Sequence, residues 1–343
     1  MNNVHTDSIS LGFSEDHPAV ISVFPNGLKQ LHTTRTWGLL GLEGNSGQVS
    51  PASLWKKASY GKDVIIAHLD TGVWPESASF SDDGMGPIPS RWRGSCQNSK
   101  KSGVFCNRSS LPFLILGLKP KSSAFSESLM AFSRRKLIGA KYFDKGYKSM
   151  EHLPSNASLG TARDTEGHGT HTLSTAGGRF VGGASLFGYA NGTAKGGSPE
   201  ARVATYKVCW EEGCSDADIL AGFDEAIHDG VDVLSVSLGG HAQDFASDSI
   251  ALGAFHAAVN GISVACSAGN EGPYDGSVAN TAPWVTTVAA STVDRGFFST
   301  LTLSNNKTFV GYSMAYKGMP ANKSYPLINS FAAKAANASN HEG

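Results

Sequence analysis

Three short segments of this sequence carry side chains that can share one chemical task. Asp70 opens the segment 70–77 (DTGVWPES), His168 lies in 165–172 (TEGHGTHT), and Asn270 lies in 267–273 (SAGNEGP). A carboxylate, an imidazole and an amide suit nucleophilic acyl transfer. The imidazole takes the proton of an attacking hydroxyl, the carboxylate fixes the imidazole tautomer, and the amide stabilises the oxyanion. The attacking hydroxyl itself, a serine in a Gly-Thr-Ser turn, occurs nowhere in the 343 residues.

Each of these segments also has an ordinary structural interpretation. A lone Asp-Thr-Gly usually forms the turn that follows a strand. Asn270 alone would be a turn residue in left-handed backbone. His168 and His171 could share a metal ion, but no Glu follows them in a zincin arrangement, so no metal site is predicted. His171 is interpreted as a structural helix residue. The joint occurrence of the three segments, in this order, favours the catalytic interpretation.

The chain around these segments alternates between buried strands and amphipathic helices. Strands are predicted at 64–69, 203–208, 231–236, 262–266 and 285–289, and helices at 216–229 and 250–259. Gly230 and Gly261 are expected to end the two helices. This alternation predicts an α/β fold with a parallel sheet between helices. Because active groups gather at the carboxyl ends of parallel strands, we expect Asp70 and Asn270 at one edge of the sheet.

The composition argues against two classes of partner. The 28 Lys and Arg residues nearly balance the 29 Asp and Glu residues, so no electrostatic case exists for nucleic acid or an anionic membrane. The apolar run 111–118 is too short to span a bilayer, and the polar start of the chain is unlike a secretory signal. We therefore expect neither a nucleic-acid nor a membrane partner.

The five cysteines include two close pairs. Cys96 lies near Cys106 and Cys209 near Cys214, which leaves Cys266 over. Neither spacing matches the Cys-x-x-Cys pair of a zinc site. Two local disulfides and one buried thiol are the preferred interpretation, and each bridge would contribute about 2–3 kcal/mol. Five reduced core cysteines are the alternative.

At the three segments around Asp70, His168 and Asn270, the chain resembles the subtilisin-like serine proteases (peptidase S8), and within them the plant subtilases. The resemblance implies a three-layer α/β fold with a mostly parallel sheet. It implies Asp70 as the orienting carboxylate, His168 as the general base and Asn270 as the oxyanion-hole amide. The activity it implies is hydrolysis of peptide bonds by a serine endopeptidase, with polypeptide substrates and no cofactor.

A fourth segment extends the resemblance to substrate binding. Ser237, Leu238, Gly239 and Gly240 are similar to the strand edge on which this family binds an extended peptide. Small residues there allow a close approach of two backbones, so a peptide would bind as an added strand. The segment lies between His168 and Asn270, in the order that the family shows.

The resemblance also predicts a domain organisation. Residues 1–34 are similar to the end of an inhibitory α+β propeptide, 35–300 to the N-terminal part of the catalytic domain, and 301–343 to the lead-in to a protease-associated insert. It thereby implies the propeptide as an inhibitory partner and secretion into the plant cell wall. Residues 108–134 interrupt the family pattern, and joining Asn107 to Arg135 restores it, which favours a retained intron.

Two further departures from the family pattern lead to separate expectations. The chain ends before the segment in which the family carries its serine, so we expect these residues alone to be inactive and poorly folded. Ser313 is rejected as nucleophile because it lacks a preceding threonine and a following apolar helix. A non-catalytic peptide-binding protein is therefore the alternative function. His68 replaces an apolar residue on the Asp70 face of its strand, so its burial requires a partner.

Overall fold

A computed structural model describes residues 36–44, 47–97, 104, 106, 136–149, 159–240, 243–293, 296–312, 323 and 325–326. The helices are α1 (Thr36–Leu39), α2 (Leu54–Lys57), α3 (Lys145–Lys148), α4 (His168–Gly177), α5 (Asp216–Asp229) and α6 (Ser249–Val259). The strands are β1 (Ile65–Asp70), β2 (Leu137–Tyr142), β3 (Val181–Leu186), β4 (Tyr189–Ala194), β5 (Arg202–Lys207), β6 (Cys209–Trp210), β7 (Gly213–Cys214), β8 (Val233–Val236), β9 (Ser263–Ser267), β10 (Thr286–Val288), β11 (Phe298–Thr302) and β12 (Thr308–Tyr312). No helix within these ranges is long and apolar enough to cross a membrane.

Within the described ranges, six strands form one parallel sheet, in the order β10-β9-β8-β1-β5-β2. β1 lies inside the sheet, with Ile65 opposite Arg202 of β5 and Ile66 opposite Val233 of β8. All six residues of β1 are buried, as its mostly apolar sequence predicts for a strand covered on both faces. The strands and helices predicted from periodicity are confirmed, with ends displaced by one or two residues.

Side chains alternate along β1 and so divide the core into two parts. One face of β1 joins an apolar cluster with α5 and α6 through Ile65, Ala67 and Leu69. On the opposite face, α4 packs across β1 and β5, and its Leu173 clusters with Val203. The sheet therefore lies between helices on both sides, which confirms the three-layer α/β fold. Asp70 belongs by alternation to the face that α4 covers.

The ends of the two long helices follow from local sequence. Gly230 adopts a left-handed backbone with φ of 84° and its N–H bonds the carbonyl of Ala226, which ends α5. The Asp248 carboxylate begins α6 by accepting the N–H of Ile250 at 2.8 Å. Gly261, with φ of 77°, follows the end of α6. Both predicted helix ends are confirmed.

The chain forms two compact units. The first holds the described residues up to Ser185 and those from Ala190 to Ser291, including the parallel sheet. The second holds Leu186–Tyr189 and the described residues from Thr292 onward. In this second unit β11 and β12 form an antiparallel hairpin, and every residue of both strands is exposed.

Two predicted segments, the propeptide remnant 1–34 and the insertion 108–134, lie outside the described residues. The predicted domain boundaries at residues 34 and 300 remain predictions.

Candidate active site

The carboxylate of Asp70 and the imidazole of His168 form a hydrogen-bonded pair. Asp70 is the last residue of β1, His168 is the first residue of α4, and the Nδ1–Oδ1 distance between them is 2.7 Å. The Asp70 side chain is fully buried, whereas half of the His168 side chain (50%) is exposed. A buried carboxylate on Nδ1 fixes the tautomer and orientation of an imidazole whose exposed part remains open to a reactant. This arrangement can perform general base catalysis.

Two further groups hold the Asp70 carboxylate in place. The backbone N–H of Thr71 donates to Oδ1 at 2.7 Å, and the hydroxyl of Thr172 donates to Oδ2 at 2.9 Å. Thr172 lies one helical turn after His168, so both side chains project from the same face of α4. Thr172 was not predicted as part of the site, although its i,i+4 spacing from His168 places both residues on one helix face.

The segments that carry the pair approach each other closely at two glycines. Gly72 adopts φ of 107°, and a Cβ there would overlap the carbonyl of Ala162. A Cβ on Gly169 would overlap the carbonyl of Gly72. Only glycine permits this approach, so the glycines of both motifs bring Asp70 and His168 within bonding distance.

Asn270 lies at the same edge of the sheet as Asp70 but is not bonded to the pair among the described contacts. It follows β9, and β9 is separated from β1 only by β8. Its side chain is exposed, and its backbone N–H donates to the Glu271 carboxylate at 2.9 Å. The sheet topology therefore brings the three predicted catalytic residues to one edge, as the strand-end rule predicts.

The predicted peptide-binding segment, from Ser237 to Gly240, directly follows β8 and so lies between Asp70 and Asn270. Its two glycines are exposed, while the Leu238 side chain is buried. The buried amide of Asn280 donates to the carbonyls of Leu238 and Ser267, each at 2.8 Å, and so ties the segment to β9. Asn280 was not predicted, because no motif or spacing in the surrounding sequence indicates its bonds to two distant carbonyls.

A cavity of about 300 Å³ opens beside this segment. One wall is formed by Gly213 and Cys214 of β7, and the other by Leu238, Gly239 and Gly240. Apolar side chains (Ile219, Phe245 and Ile250) and polar ones such as Asp216 and Gln243 share the rest of the lining. A pocket of this size accommodates one side chain of a bound peptide.

The structure pairs the cysteines as the preferred interpretation expects. Cys209 bonds Cys214 across the β6–β7 hairpin, so this disulfide lies in the wall of the cavity, and Cys96 bonds Cys106. Cys266 is free and buried in β9. Burial, together with the negative charge of Asp248, raises the pKa of Cys266 to about 12, so the thiol stays protonated and inert.

In the described part of the chain, the one grouping with metal-ligand spacing lies away from this edge, at Glu225, His228 and Asp229. The ammonium of Lys141 lies among its carboxylates, 2.6 Å from Glu225 and 2.7 Å from Asp229. This ammonium supplies the counter-charge that an ion would otherwise bring, so the grouping is a structural ion-pair network.

His68 is completely buried beneath Asp70, as predicted. Its Nε2 lies 3.3 Å from the hydroxyl of Thr205, while no group among the described residues meets its Nδ1 in good hydrogen-bond geometry. Burial lowers the pKa of His68, although the Asp70 carboxylate and the Gly72 backbone both favour the charged form. The imidazole is therefore kept neutral, and Thr205 is the hydrogen-bond partner of its Nε2.

Comparison with known proteins places these features in a family. Residues 61–341 match the model of the subtilase family of peptidases. The chain is 55% identical over 328 residues to subtilisin-like protease SBT5.3 of Arabidopsis thaliana, covering 94% of this chain and 39% of that protein. It is 53% identical to subtilisin-like protease SBT5.4 and 46% identical to the CO(2)-response secreted protease, both of Arabidopsis thaliana, each match covering 94% of this chain and 38% of the relative. The chain thus spans about two fifths of the length of the curated relatives it matches.

Proposed function

Because this chain belongs to the subtilase family, we propose that it supplies the acid, base and peptide-binding parts of a serine endopeptidase. The observation that carries the proposal is the 2.7 Å hydrogen bond between His168 and the buried Asp70. The nucleophilic serine belongs to polypeptide outside these 343 residues, because no Gly-Thr-Ser turn occurs within them.

The proposed reaction is acyl transfer to serine followed by hydrolysis. His168 removes the proton of the serine hydroxyl as the oxygen attacks a peptide carbonyl, and Asp70 stabilises the imidazolium that forms. The amide of Asn270 donates to the oxyanion, a contribution worth about 10²–10³ in turnover at such sites. His168 then gives its proton to the departing amine, which leaves an acyl-enzyme. Water, deprotonated by the same imidazole, releases the acid.

The proposed substrate is an extended polypeptide. Its backbone lies along Ser237–Gly240, where the exposed glycines allow strand-like pairing. The adjacent cavity of about 300 Å³ is lined by both apolar and polar groups, and we expect a substrate side chain to enter it.

The proposed setting is outside the cell, with residues 1–34 as the C-terminal remnant of an inhibitory propeptide. Two disulfides among the described residues suit an oxidising compartment, and one relative is named a secreted protease. A propeptide that binds the same sheet edge would block it until it is removed.

The second candidate function is peptide binding without hydrolysis. The Ser237–Gly240 edge, with its two exposed glycines, favours it, because this edge exists whether or not a serine is present. Under this alternative the chain would compete for the peptide substrates of active relatives.

A fluorophosphonate probe distinguishes the two functions because it labels only an activated serine. We expect no labelling of the 343-residue chain. We expect labelling of the same chain extended by the reading frame that follows Gly343 in the genome, and loss of that labelling on His168→Ala. Absence of label from the extended chain, with peptide binding retained, would support the non-catalytic function instead. Labelling of the 343-residue chain would contradict the assignment of the serine to another segment.

A further inference from the structure

The carboxylate of Asp164 is bonded to both segments that carry the Asp70–His168 pair. Its Oδ1 accepts the hydroxyl of Thr71 at 3.0 Å and the N–H of Gly167 at 2.8 Å. Its Oδ2 accepts the hydroxyl of Thr170 at 2.6 Å and the N–H of Thr170 at 2.8 Å. The Asp164 residue is only 3% exposed. Thr71 directly follows Asp70, and Gly167 directly precedes His168, so one buried carboxylate links both neighbours of the pair.

Thr71 completes this link from the other side. Its backbone N–H donates to the Asp70 carboxylate at 2.7 Å. Its hydroxyl donates to Asp164 and accepts the N–H of Gly169 at 2.8 Å. The orientation of this hydroxyl is therefore set by a donor and an acceptor on the α4 side. A shift of the first turn of α4 relative to β1 would break both of these bonds.

Asp164 also begins helix α4, which has no side-chain cap of its own. Gly167 occupies the cap position with φ of 96° and has no side chain to bond the first N–H groups. Asp164 accepts the N–H groups of Gly167 and Thr170 in its place. Its negative charge lies where the helix dipole is positive, which stabilises the start of α4.

Asp164 is ionised in this environment. Burial by itself would raise the pKa of its carboxyl, but the hydrogen bonds from Thr170, Gly167 and Glu166 outweigh burial and hold the pKa below its ordinary value. The carboxylate therefore accepts all of these bonds throughout the neutral pH range.

We propose that Asp164 is a positioning residue, which holds the first turn of α4 against β1 so that His168 meets Asp70. It does not contact the reacting atoms and acts through Thr71 and the N-terminus of α4. The catalytic consequence rests on the proposed function, whereas the geometric consequence does not.

The test is the proton NMR spectrum of the chain extended by the reading frame that follows Gly343, because the 343 residues alone are expected to be poorly folded. A hydrogen bond from Nδ1–H of His168 to a buried carboxylate gives a far-downfield resonance that is absent when this bond is lost. Asp164→Asn keeps the shape of the side chain. Its NH₂ group, however, is a donor and cannot accept the hydrogen bonds that one carboxylate oxygen accepts. We expect loss of the resonance in Asp164→Asn, and the wild-type chain must show it.

Asp248→Asn is the matched control, because Asp248 likewise accepts helix N–H groups, from Ile250 and Ala251 at the start of α6. It should cost a similar amount of helix stability and leave the His168 resonance in place. Thr71→Val and Thr71→Ser form a second pair in case Asp164→Asn does not fold. Valine removes the hydroxyl at constant shape and should abolish the resonance, whereas serine restores the hydroxyl and should retain it.

Persistence of the resonance in folded Asp164→Asn or in Thr71→Val would overturn the inference, as would its absence from the folded wild-type chain. In the serine-containing extended chain we expect Asp164→Asn to lower kcat about 10²-fold with little change in KM, as for a misplaced catalytic group. If the extended chain is inactive while the resonance behaves as expected, the proposed function fails and the positioning role stands.

Discussion

At the scale of single residues, His68 is a titratable group enclosed within the first unit. Its burial removes water from the imidazole, and the hydroxyl of Thr205 lies within hydrogen-bond distance of its Nε2. Three charged or titratable groups act on it, namely Asp70 on its own strand, Asp164 before α4, and His168 on α4. Protonation of His68 would place a poorly solvated charge directly beneath the Asp70 carboxylate.

The stability of the chain should therefore fall in mild acid. The folded-state pKa of His68 lies below its ordinary value of 6.5, so between those two values the unfolded state binds more protons. The free energy of unfolding then decreases as the pH drops below 6.5, by up to about 1.4 kcal/mol per pH unit. Urea unfolding at several pH values measures this slope. His68→Leu should flatten it, and the exposed-site control His256→Gln should not. An unchanged slope in His68→Leu would show that other groups cause it.

At the scale of secondary-structure elements, a buried charge network joins β2, β5 and α5. Lys141 of β2 bonds Asp229 and Glu225 of α5, and the hydroxyl of Tyr206 in β5 donates to Asp229 at 2.7 Å. Burial, reinforced by the charge of Asp229, raises the pKa of Tyr206 far above its ordinary value, so the phenol remains a donor. The Asp229 side chain is 1% exposed, so its charge depends on these two donors.

Removal of Lys141 should destabilise the fold strongly. Lys141→Met leaves the Asp229 carboxylate buried and only partly compensated, which costs about 3–5 kcal/mol. The control is Arg91→Gln, which breaks the partly exposed pair with Asp232 (46% and 36% exposed) and should cost less than about 1 kcal/mol. Chemical denaturation of both variants measures the difference. Equal losses would mean that burial does not determine the contribution of the network.

The elements that could be predicted from sequence are those whose apolar residues recur with a clear spacing. The strands β1, β5, β8 and β9 and the helices α5 and α6 follow from apolar runs, amphipathic spacing and glycine caps. The hairpins β3–β4 and β6–β7 carry no comparable period, so the sequence analysis did not predict them. The Asp70–His168 pair could be predicted, because the segments that carry its two residues follow each other in a recognisable order. Asp164 and Asn280 could not, because each acts on groups that become neighbours only when distant segments pack.

At the scale of the whole molecule, the hairpin of the second unit leaves much apolar surface in water. Five large side chains on β11 and β12 are more than half exposed: Phe298, Leu301, Phe309, Val310 and Tyr312. By alternation Phe298, Val310 and Tyr312 lie on one face of the hairpin and Leu301 and Phe309 on the other. Two strands alone are marginally stable, and exposed apolar groups of this kind favour association. Such surface also favours the poor solubility predicted for the 343-residue chain.

A charge on this hairpin should therefore increase solubility. Val310→Lys removes an exposed apolar side chain from β12, so we expect less self-association in size-exclusion chromatography and weaker binding of an apolar dye. Thr302→Lys, on the neighbouring strand, adds the same charge without removing an apolar group. If both variants improve solubility equally, net charge rather than the apolar surface is responsible.

The internal position of β1 also has a consequence for how the molecule is made. Its neighbour β5 is synthesised about 130 residues after it, and its other neighbour β8 later still. At usual rates of translation the strand that ends in Asp70 waits on the order of ten seconds for a partner. Such distant pairing slows folding and exposes unpaired strand to aggregation. A ribosome-bound chain that stops before β5 therefore cannot hold the Asp70 carboxylate in place, even though the segment 70–77 is already complete.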